Sequence, residues 1–218
     1  MIVKQTTLTV TENTRLADGI YRLRLAGDTS AITAPGQFVN LKLSGFFLRR
    51  PISVCDWSDG ELTLIYKVLG HGTEAMTGMA PGTELDVLTG LGNGYDVSHS
   101  GEHPLLVGGG VGIPPLYGLA RRLRAQGRQV TAVLGFNRAS EIFLAEEFRA
   151  LGAEIILATA DGSAGLRGLV TDGMAAVSDS TYLYTCGPEL MLKAVYGACT
   201  TSGQFSFEER MGCGFGAC

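Results

Sequence analysis

The hydrophobic periodicity of this 218-residue chain changes near Pro104, and this change constrains the fold more than any other feature. Before Pro104, apolar residues alternate with polar ones, as at Tyr21, Leu23 and Leu25, and glycine-rich turns separate the short runs. A period of two residues is typical of strands that bury one face. After Pro104, apolar runs alternate with amphipathic helical stretches, which indicates β-α-β units and a parallel sheet. We therefore predict an antiparallel β-barrel followed by an α/β domain, with the boundary at 98–102.

The predicted elements follow from these two patterns. In the first half, strands are expected at 21–25, 39–43, 62–69 and 85–88, and a short helix at 74–79. In the second half, strands are expected at 105–107, 130–134, 154–158 and 181–185, and helices at 114–126, 140–151 and 188–199. The final residues fit neither half.

Composition argues against several functional classes. The hydrophobic share of 45% allows a core, while the net charge of −4 argues against binding to nucleic acid or to an anionic membrane. The apolar stretches are shorter than the ~18–20 residues that a membrane span needs. The segment Met1–Thr6 lacks the basic and apolar regions of a secretory signal, so we expect a cytoplasmic protein. The odd, scattered set of cysteines argues against a disulfide framework.

The first candidate site lies in the barrel half and combines two segments. Arg50-Pro51-Ile52-Ser53 offers a guanidinium for bidentate phosphate binding, next to a proline that fixes the backbone. Gly70-His71-Gly72-Thr73 opens the predicted short helix, with Thr73 as its N-cap, and the free amides at a helix start bind anions. Each segment also has an ordinary interpretation, a polar turn for the first and simple helix capping for the second.

The second candidate site combines two turns of the α/β half. Gly108–Pro115 lies between a strand and a helix, where phosphate-binding loops occur, although its spacing departs from the G-x-G-x-x-G pattern. A tight strand-to-helix turn is the alternative interpretation. Cys186-Gly187-Pro188 follows a later strand at its carboxyl end, where ligands bind in such sheets. No histidine lies near Cys186 in the sequence, which argues against a cysteine nucleophile.

The ordered set of motifs resembles the ferredoxin-reductase superfamily. It is most similar to the family of electron-transfer subunits of class 1B dihydroorotate dehydrogenase, and this resemblance spans essentially the whole chain. Further matching segments are Gly135-Phe136-Asn137, Asp161-Gly162-Ser163 and Gly168–Asp172. The most specific part of the resemblance is the final segment, 208–218.

The resemblance implies a protein that binds FAD in its barrel and NAD in its α/β domain, with domains at 1–99, 100–203 and 204–218. It implies electron transfer between NAD and an FMN-containing dihydroorotate dehydrogenase catalytic subunit, in a heterotetramer, with no catalytic side chain in this chain. The expected FAD residues are Arg50, Pro51, Ile52, Ser53, Ile65, Tyr66, Lys67, Gly72 and Thr73. The expected NAD residues are Gly108, Gly109, Gly110, Gly112, Cys186 and Gly187.

The resemblance also implies a 2Fe–2S cluster in the tail, 204–218. Cys213 and Cys218 have the spacing that opens the plant-type cluster motif, and the intervening glycines suit a loop that wraps closely around a cluster. The family continues with two more cysteines, so we expect that this chain stops inside the motif and holds no intact cluster. A flexible glycine-rich terminus is the alternative interpretation.

Two other functions stay open at this stage. The chain could be the small flavin subunit of another assembly, such as a ferredoxin:NADP oxidoreductase or a sulfide dehydrogenase. From another class, it could be a redox-silent nucleotide-binding scaffold with zinc-binding cysteines. The choice of NAD over NADP rests on the resemblance alone, because Arg138 stands where a 2′-phosphate could bind and no ribose-binding acid is visible after the second α/β strand.

Overall fold

The computed structural model describes residues 3–208 and divides them into two compact units. The first unit runs from residue 3 to Gly94, and the second is Tyr95–Phe207. The division therefore lies a few residues before the predicted domain end at 99. The second unit also continues past the predicted start of the tail at 204.

The first unit is a closed, six-stranded antiparallel barrel with strand order β1-β2-β5-β4-β3-β6. A short helix, α1 (His71–Met76), lies between the last two strands of the chain order. The strands are β1 (Lys4–Ala17), β2 (Ile20–Ala26), β3 (Phe38–Leu41), β4 (Arg50–Ser58), β5 (Glu61–Lys67) and β6 (Glu84–Leu91). This architecture is the one that the alternating pattern predicts.

Two tight hairpins set the register of the barrel. The turns between β1 and β2 and between β4 and β5 each contain an Asp-Gly pair, and the glycines have φ angles of 67° at Gly19 and 81° at Gly60. Two-residue hairpin turns need positive φ angles, which glycine adopts at no steric cost. These turns place the apolar residues of neighbouring strands on the same face.

The barrel core is formed by the alternating residues of the strands. On β5, Leu62, Leu64 and Tyr66 belong to the core cluster, and on β2 Leu23 and Leu25 do so. Each fully buried leucine side chain contributes about 1.5–3 kcal/mol of hydrophobic free energy. The barrel is therefore a packed scaffold that can hold loops rigidly at its ends.

The second unit is a six-stranded parallel sheet with the order β10-β9-β8-β7-β11-β12. Its strands are β7 (Pro104–Gly109), β8 (Thr131–Phe136), β9 (Glu154–Thr159), β10 (Leu166–Arg167), β11 (Tyr182–Cys186) and β12 (Gly203–Ser206). Its α-helices are α2 (Ile113–Ala125), α3 (Ala145–Ala150), α4 (Val170–Met174) and α5 (Glu189–Ala198). The continuous apolar run of β7 is buried, as expected for a strand with both faces covered.

The strand order reverses at β7. The chain builds outward from β7 to β8, β9 and β10, and then returns to place β11 on the other side of β7. The carboxyl ends of β7 and β11 are therefore neighbours, with Gly108 paired to Cys186. Open α/β sheets bind their ligands in the crevice at such a reversal.

Three local predictions differ from the structure. The expected helix 140–151 is a short 3₁₀ turn, Ala139–Glu141, followed by α3, because Phe143 packs edge-on against Phe136 at a centroid distance of 5.6 Å. Leu144 then takes a left-handed φ of 62° before α3 begins. The short helix α1 begins at His71 rather than Glu74. Segment 203–206, in the expected tail, forms β12 at the sheet edge.

None of the helices in residues 3–208 is both long and apolar enough to cross a membrane.

Candidate functional site

The two phosphate-binding segments predicted in the barrel meet in the structure. A Cβ atom at position 72 would lie 2.5 Å from Cζ of Arg50, so the guanidinium rests directly on the Gly72 backbone. The Arg50 Cζ atom also lies 4.8 Å from the centre of the Phe46 ring. Its hydrogen bonds go to backbone carbonyls, at 2.6 Å to Leu48 and 3.4 Å to Arg49. Within residues 3–208 the guanidinium pairs with no carboxylate, so its charge is available to an anion.

The neighbouring arginine has a structural role. Arg49 donates to both carboxylate oxygens of Asp86 at 3.0 Å and to the Asp86 carbonyl at 3.0 Å. Its side chain is only 7% exposed. A buried arginine held by a carboxylate fixes the start of β4 against β6, and this anchors the backbone from which Arg50 extends.

Thr73 lies inside α1 and is not its N-cap. The cap residue is Gly70, and Thr73 is the third residue of the helix. Its hydroxyl oxygen accepts hydrogen bonds from the amides of Leu69 at 2.9 Å and Gly70 at 3.3 Å, and the hydroxyl donates to the Gly70 carbonyl at 3.1 Å. The prediction of Thr73 as the cap was wrong because it looked for a side-chain oxygen. Glycine also occurs at the N-cap position, although it has no side chain. Thr73 therefore shapes the turn that presents Gly72.

The three expected FAD residues of β5 do not share a face. The Tyr66 side chain belongs to the barrel core, stacks on Tyr21 at 5.7 Å and donates its hydroxyl to Asn13 Oδ1 at 3.2 Å. Burial raises the pKa of Tyr66 to about 12. Ile65 and Lys67 alternate to the opposite face of the strand. Any contact of Tyr66 with a flavin would therefore involve its backbone.

The Arg-Pro-x-Ser segment forms the first residues of β4. Ile52 is partly buried and packs against the barrel core cluster, while Pro51 is exposed and Ser53 is half-buried. In the ladder with β3, Ser53 pairs with Phe38 and Ile52 with Val39. Because successive side chains of a strand point to opposite faces, Pro51 and Ser53 lie on the face away from Ile52.

In the α/β unit, the glycine-rich loop packs directly on the Cys-Gly-Pro turn. A Cβ atom at position 112 would lie 2.6 Å from the Gly187 nitrogen and closer still to the Cys186 carbonyl. A side chain at position 109 would collide with the Met191 sulfur at 2.6 Å, and one at position 187 with the Met191 methyl at 2.6 Å. The expected NAD residues on β7 and β11 are therefore brought together, and Met191 is an additional residue that the sequence did not indicate.

The remaining loop residue, Gly110, faces open space. It has a φ of 52°, and a Cβ atom there would meet nothing within 4 Å. After it, α2 begins with Ile113, Pro114 and Pro115. A helix tolerates proline in its first turn, but proline has no backbone N–H group. The start of α2 therefore offers fewer free amides to a phosphate than an ordinary helix start does. A phosphate bound here would therefore depend more on the backbone of the glycine loop than on the amides of α2.

The loops at the carboxyl ends of β8 and β9, one and two strands away from β7, form a polar corner. It consists of Asn137, Arg138, Glu141, Asp161 and Ser163. Glu141 accepts from Asn137 Nδ2 at 2.9 Å and from Arg138 Nε at 3.0 Å. Asp161 accepts from the Ser163 amide at 2.9 Å and its hydroxyl at 2.6 Å. The Ser163 oxygen in turn accepts from the Ala139 amide at 2.7 Å, which ties the two loops together. The Ser163 hydrogen bonds, and more weakly the charge of Arg138, lower the pKa of Asp161.

The predicted cluster ligands Cys213 and Cys218 lie outside the described residues. In the part of the chain that the structure describes, no group of three or more histidine, cysteine or acidic side chains could hold a metal. Cys55 and Cys186 are buried, and the Cys199 thiol lies 3.3 Å from the Tyr196 carbonyl oxygen at the end of α5.

Comparison with known proteins agrees with this arrangement. Residues 106–196 match the family described as the oxidoreductase NAD-binding domain. The structure resembles an NADH-dependent reduced ferredoxin-NADP oxidoreductase with a TM-score of 0.87, at 28% identity over 97% of this chain and 79% of that one. It also resembles the FAD/NAD-binding domain of a Vibrio cholerae nitric oxide dioxygenase, with a TM-score of 0.78 over 92% and 97% of the two chains. At 20% identity, this second likeness concerns the fold alone.

Two curated relatives carry the same name, dihydroorotate dehydrogenase B (NAD(+)), electron transfer subunit. The relative from Fusobacterium nucleatum subsp. nucleatum is 41% identical, over 96% of this chain and 86% of its own length. The relative from Geobacillus sp. (strain WCH70) is 44% identical, over 100% of this chain and 88% of its own length. Because such identity extends through both units, the chain belongs to the family of electron transfer subunits of NAD-dependent dihydroorotate dehydrogenase B, as its motifs predicted.

Proposed function

We propose that this chain passes electrons between NAD and an FMN-containing dihydroorotate dehydrogenase catalytic subunit, through FAD and a 2Fe–2S cluster. The single observation that carries the proposal is the packing of the glycine-rich loop on the Cys186–Gly187 peptide at the strand-order reversal. That reversal is where an open α/β sheet offers a dinucleotide site. The names of the relatives supply the reaction with which such a site would be connected.

The barrel residues fit a flavin dinucleotide. Arg50 offers an uncompensated guanidinium on the Gly72 backbone, a suitable arrangement for the FAD pyrophosphate. Ser53 and the β5 residues Ile65 and Lys67 would hold the isoalloxazine end, with Tyr66 behind them in the core. When bound, FAD supplies the chemistry that connects the two-electron exchange of a nicotinamide with single-electron transfer. The role of this chain's own residues is to bind and orient it.

The α/β residues fit a nicotinamide dinucleotide. Gly110 faces open space after β7, where a pyrophosphate would approach the backbone, while the missing side chains at Gly108, Gly109 and Gly112 let the loop pack closely on its protein neighbours. Cys186 and Gly187 would lie beside the nicotinamide at the end of β11. The domains would then correspond to the barrel for FAD and the parallel sheet for NAD.

The tail would hold the cluster, and a separate subunit would oxidise dihydroorotate. Cys213 and Cys218 would supply two cluster ligands, and their spacing supports this assignment. The electron transfer subunit in the relatives' name implies a separate catalytic subunit, which would contain the dihydroorotate site. A heterotetramer of two such pairs is the assembly that we infer.

One observation favours a second candidate. The NADH-dependent reduced ferredoxin-NADP oxidoreductase has the same fold over nearly the whole chain, with a TM-score of 0.87. A flavin subunit of that kind would use the same two sites with a different partner. The higher identity of 41–44% to the dihydroorotate dehydrogenase subunits favours the first function.

Anaerobic reduction of the purified chain tests the central proposal. We expect the protein to carry visible flavin absorbance and NADH to bleach it, because both dinucleotide sites lie in this chain. A glycine-loop variant such as Gly109→Val should keep the flavin and lose bleaching by NADH, since the new side chain would displace Met191. A colourless protein that does not take up added FAD would contradict the proposal and favour a redox-silent scaffold.

A further inference from the structure

The polar corner at the ends of β8 and β9 contains an arginine that is already paired. Arg138 is 62% exposed, yet its Nε atom donates to Glu141 at 3.0 Å in an ion pair. The Glu141 side chain is only 17% exposed and also accepts from Asn137. A mostly buried carboxylate with two donors is rigidly held, so it fixes the position of the guanidinium in turn.

The position of this corner matters for a dinucleotide. β8 is the second strand of the first β-α-β unit and lies next to β7, whose loop is proposed to take the pyrophosphate. In open α/β sheets, the residues that follow the second strand contact the adenosine ribose, where an acid binds the 2′-hydroxyl and an arginine accommodates a 2′-phosphate. Arg138 and Glu141 both lie in the loop that follows β8.

We propose that Glu141 determines the choice of coenzyme: by holding Arg138 in an ion pair, it makes this corner accept the 2′-hydroxyl of NAD and reject the 2′-phosphate of NADP. The inference rests on the proposed function of the α/β unit. Glu141 acts through Arg138 and is therefore a positioning residue, while Arg138 would contact the coenzyme.

The physical reason is competition for one guanidinium. A 2′-phosphate carries about two negative charges and needs a cation whose donors are free. Here the Glu141 carboxylate at 3.0 Å already takes the Nε donor of Arg138 and offsets its charge, and Asp161 places a second carboxylate close enough to interact with the same charge. Bringing a phosphate into this corner would add like-charge repulsion, which is how binding sites exclude a close analogue. The 2′-hydroxyl of NAD is neutral and meets no such repulsion.

The test is steady-state reduction of an artificial dye by the full chain loaded with FAD, with NADH and with NADPH. The variant Glu141→Gln keeps the size of the side chain but removes the charge that holds Arg138. We expect the ratio of its kcat/KM for NADPH to its kcat/KM for NADH to rise by about tenfold or more, mainly through KM for NADPH. The double variant Glu141→Gln with Arg138→Ala should return NADPH to the wild-type value.

A matched control comes from α3, where Glu146 forms an exposed ion pair with Arg149 at the same three-residue spacing. Glu146→Gln should leave the NADH and NADPH values unchanged. An unchanged NADPH value in Glu141→Gln, with normal NADH activity, would overturn this inference alone. So would a gain that persists in the double variant, because another cation such as Arg167, whose stem crosses Gly162, would then bind the phosphate. A wild-type chain that NADH does not reduce would overturn the proposed function itself.

Discussion

Arg49 and Arg50 are adjacent in the sequence but differ in what their guanidinium groups contact. Arg49 is buried and held by Asp86, whereas Arg50 lies on Gly72 and Phe46 and finds only carbonyl acceptors among the described residues. An arginine whose charge is already neutralised is a poor anion ligand, and one without a carboxylate partner is a good one. At the scale of single residues, the barrel therefore separates a structural arginine from one whose charge no described carboxylate neutralises.

Replacing Arg50 by alanine should weaken FAD binding. A hydrogen bond to a charged group is worth about 1.5–3 kcal/mol, which corresponds to about a ten- to a hundredfold rise in Kd. Arg50→Lys should recover part of the affinity, because an ammonium keeps the charge but loses the bidentate geometry. The measurement is a fluorescence titration of the apoprotein with FAD.

The control for this prediction is Arg24→Ala on β2. Arg24 is 51% exposed and contacts Glu12 at 3.4 Å on the barrel surface, so the variant removes the same charge from the same unit. Its affinity for FAD should stay at the wild-type value. Equal affinities for Arg50→Ala and the wild type would mean that the guanidinium does not contact the pyrophosphate.

Close contact between the loop after β7 and the turn after β11 is the main feature at the scale of elements. The two strands are separated by most of the α/β sequence, yet the sheet order makes them neighbours. Gly112 touches the Cys186–Gly187 peptide, and Met191 at the start of α5 covers both Gly109 and Gly187. A side chain at any of these glycines would separate the loop from the turn.

We expect Gly112→Ala to impair NAD binding while FAD binding persists. The new methyl group would press on backbone atoms that cannot move aside, and overpacking of this kind costs about 1–3 kcal/mol. Calorimetric unfolding should show a lower Tm, and a titration with NADH should give a higher Kd. Gly197→Ala is the matched control, because a Cβ atom at that helical position would meet nothing within 4 Å. An equal effect of both variants would show that the loop-to-turn contact is unimportant.

At the scale of the whole molecule, the chain consists of two units, and each contains one of the two proposed dinucleotide sites. The barrel supplies Arg50 and Gly72, and the parallel sheet supplies the glycine loop and the polar corner. Among the described residues, we find no paired catalytic carboxylates or nucleophile with a base at these sites. Such a chain is suited to binding redox cofactors, whose own chemistry carries the electrons.

The isolated chain should therefore reduce an artificial dye with NADH but should not oxidise dihydroorotate. The FMN-containing catalytic subunit from a related species can then be added. We expect NAD-coupled formation of orotate in this mixture only in samples whose tail holds a complete cluster. Both reactions can be followed by absorbance, with iron and labile sulfide measured on the same sample. Dihydroorotate oxidation by the purified chain alone would contradict the proposed division of labour.

The hydrophobic periodicity by itself determined the two-domain architecture. Alternation at Tyr21–Leu25 and the apolar run of β7 depend on which residues are buried, and burial is recorded directly in the sequence pattern. The Asp59-Gly60 pair also forms the hairpin that its composition indicates. The motifs of the two candidate sites were identified from their residue types and their positions next to predicted strands and helices.

Only the tertiary structure decided which of the charged residues are already paired and which are available to bind a ligand. Arg49 is neutralised by Asp86, 37 residues away, and no local pattern could distinguish it from Arg50. The broken helix before α3 was mispredicted for a similar reason, because the Phe143 contact with Phe136 outweighs local helix propensity. Glu141 was missed because it follows β8 after a turn rather than directly. Periodicity records burial, whereas charge pairing depends on contacts that only the folded chain creates.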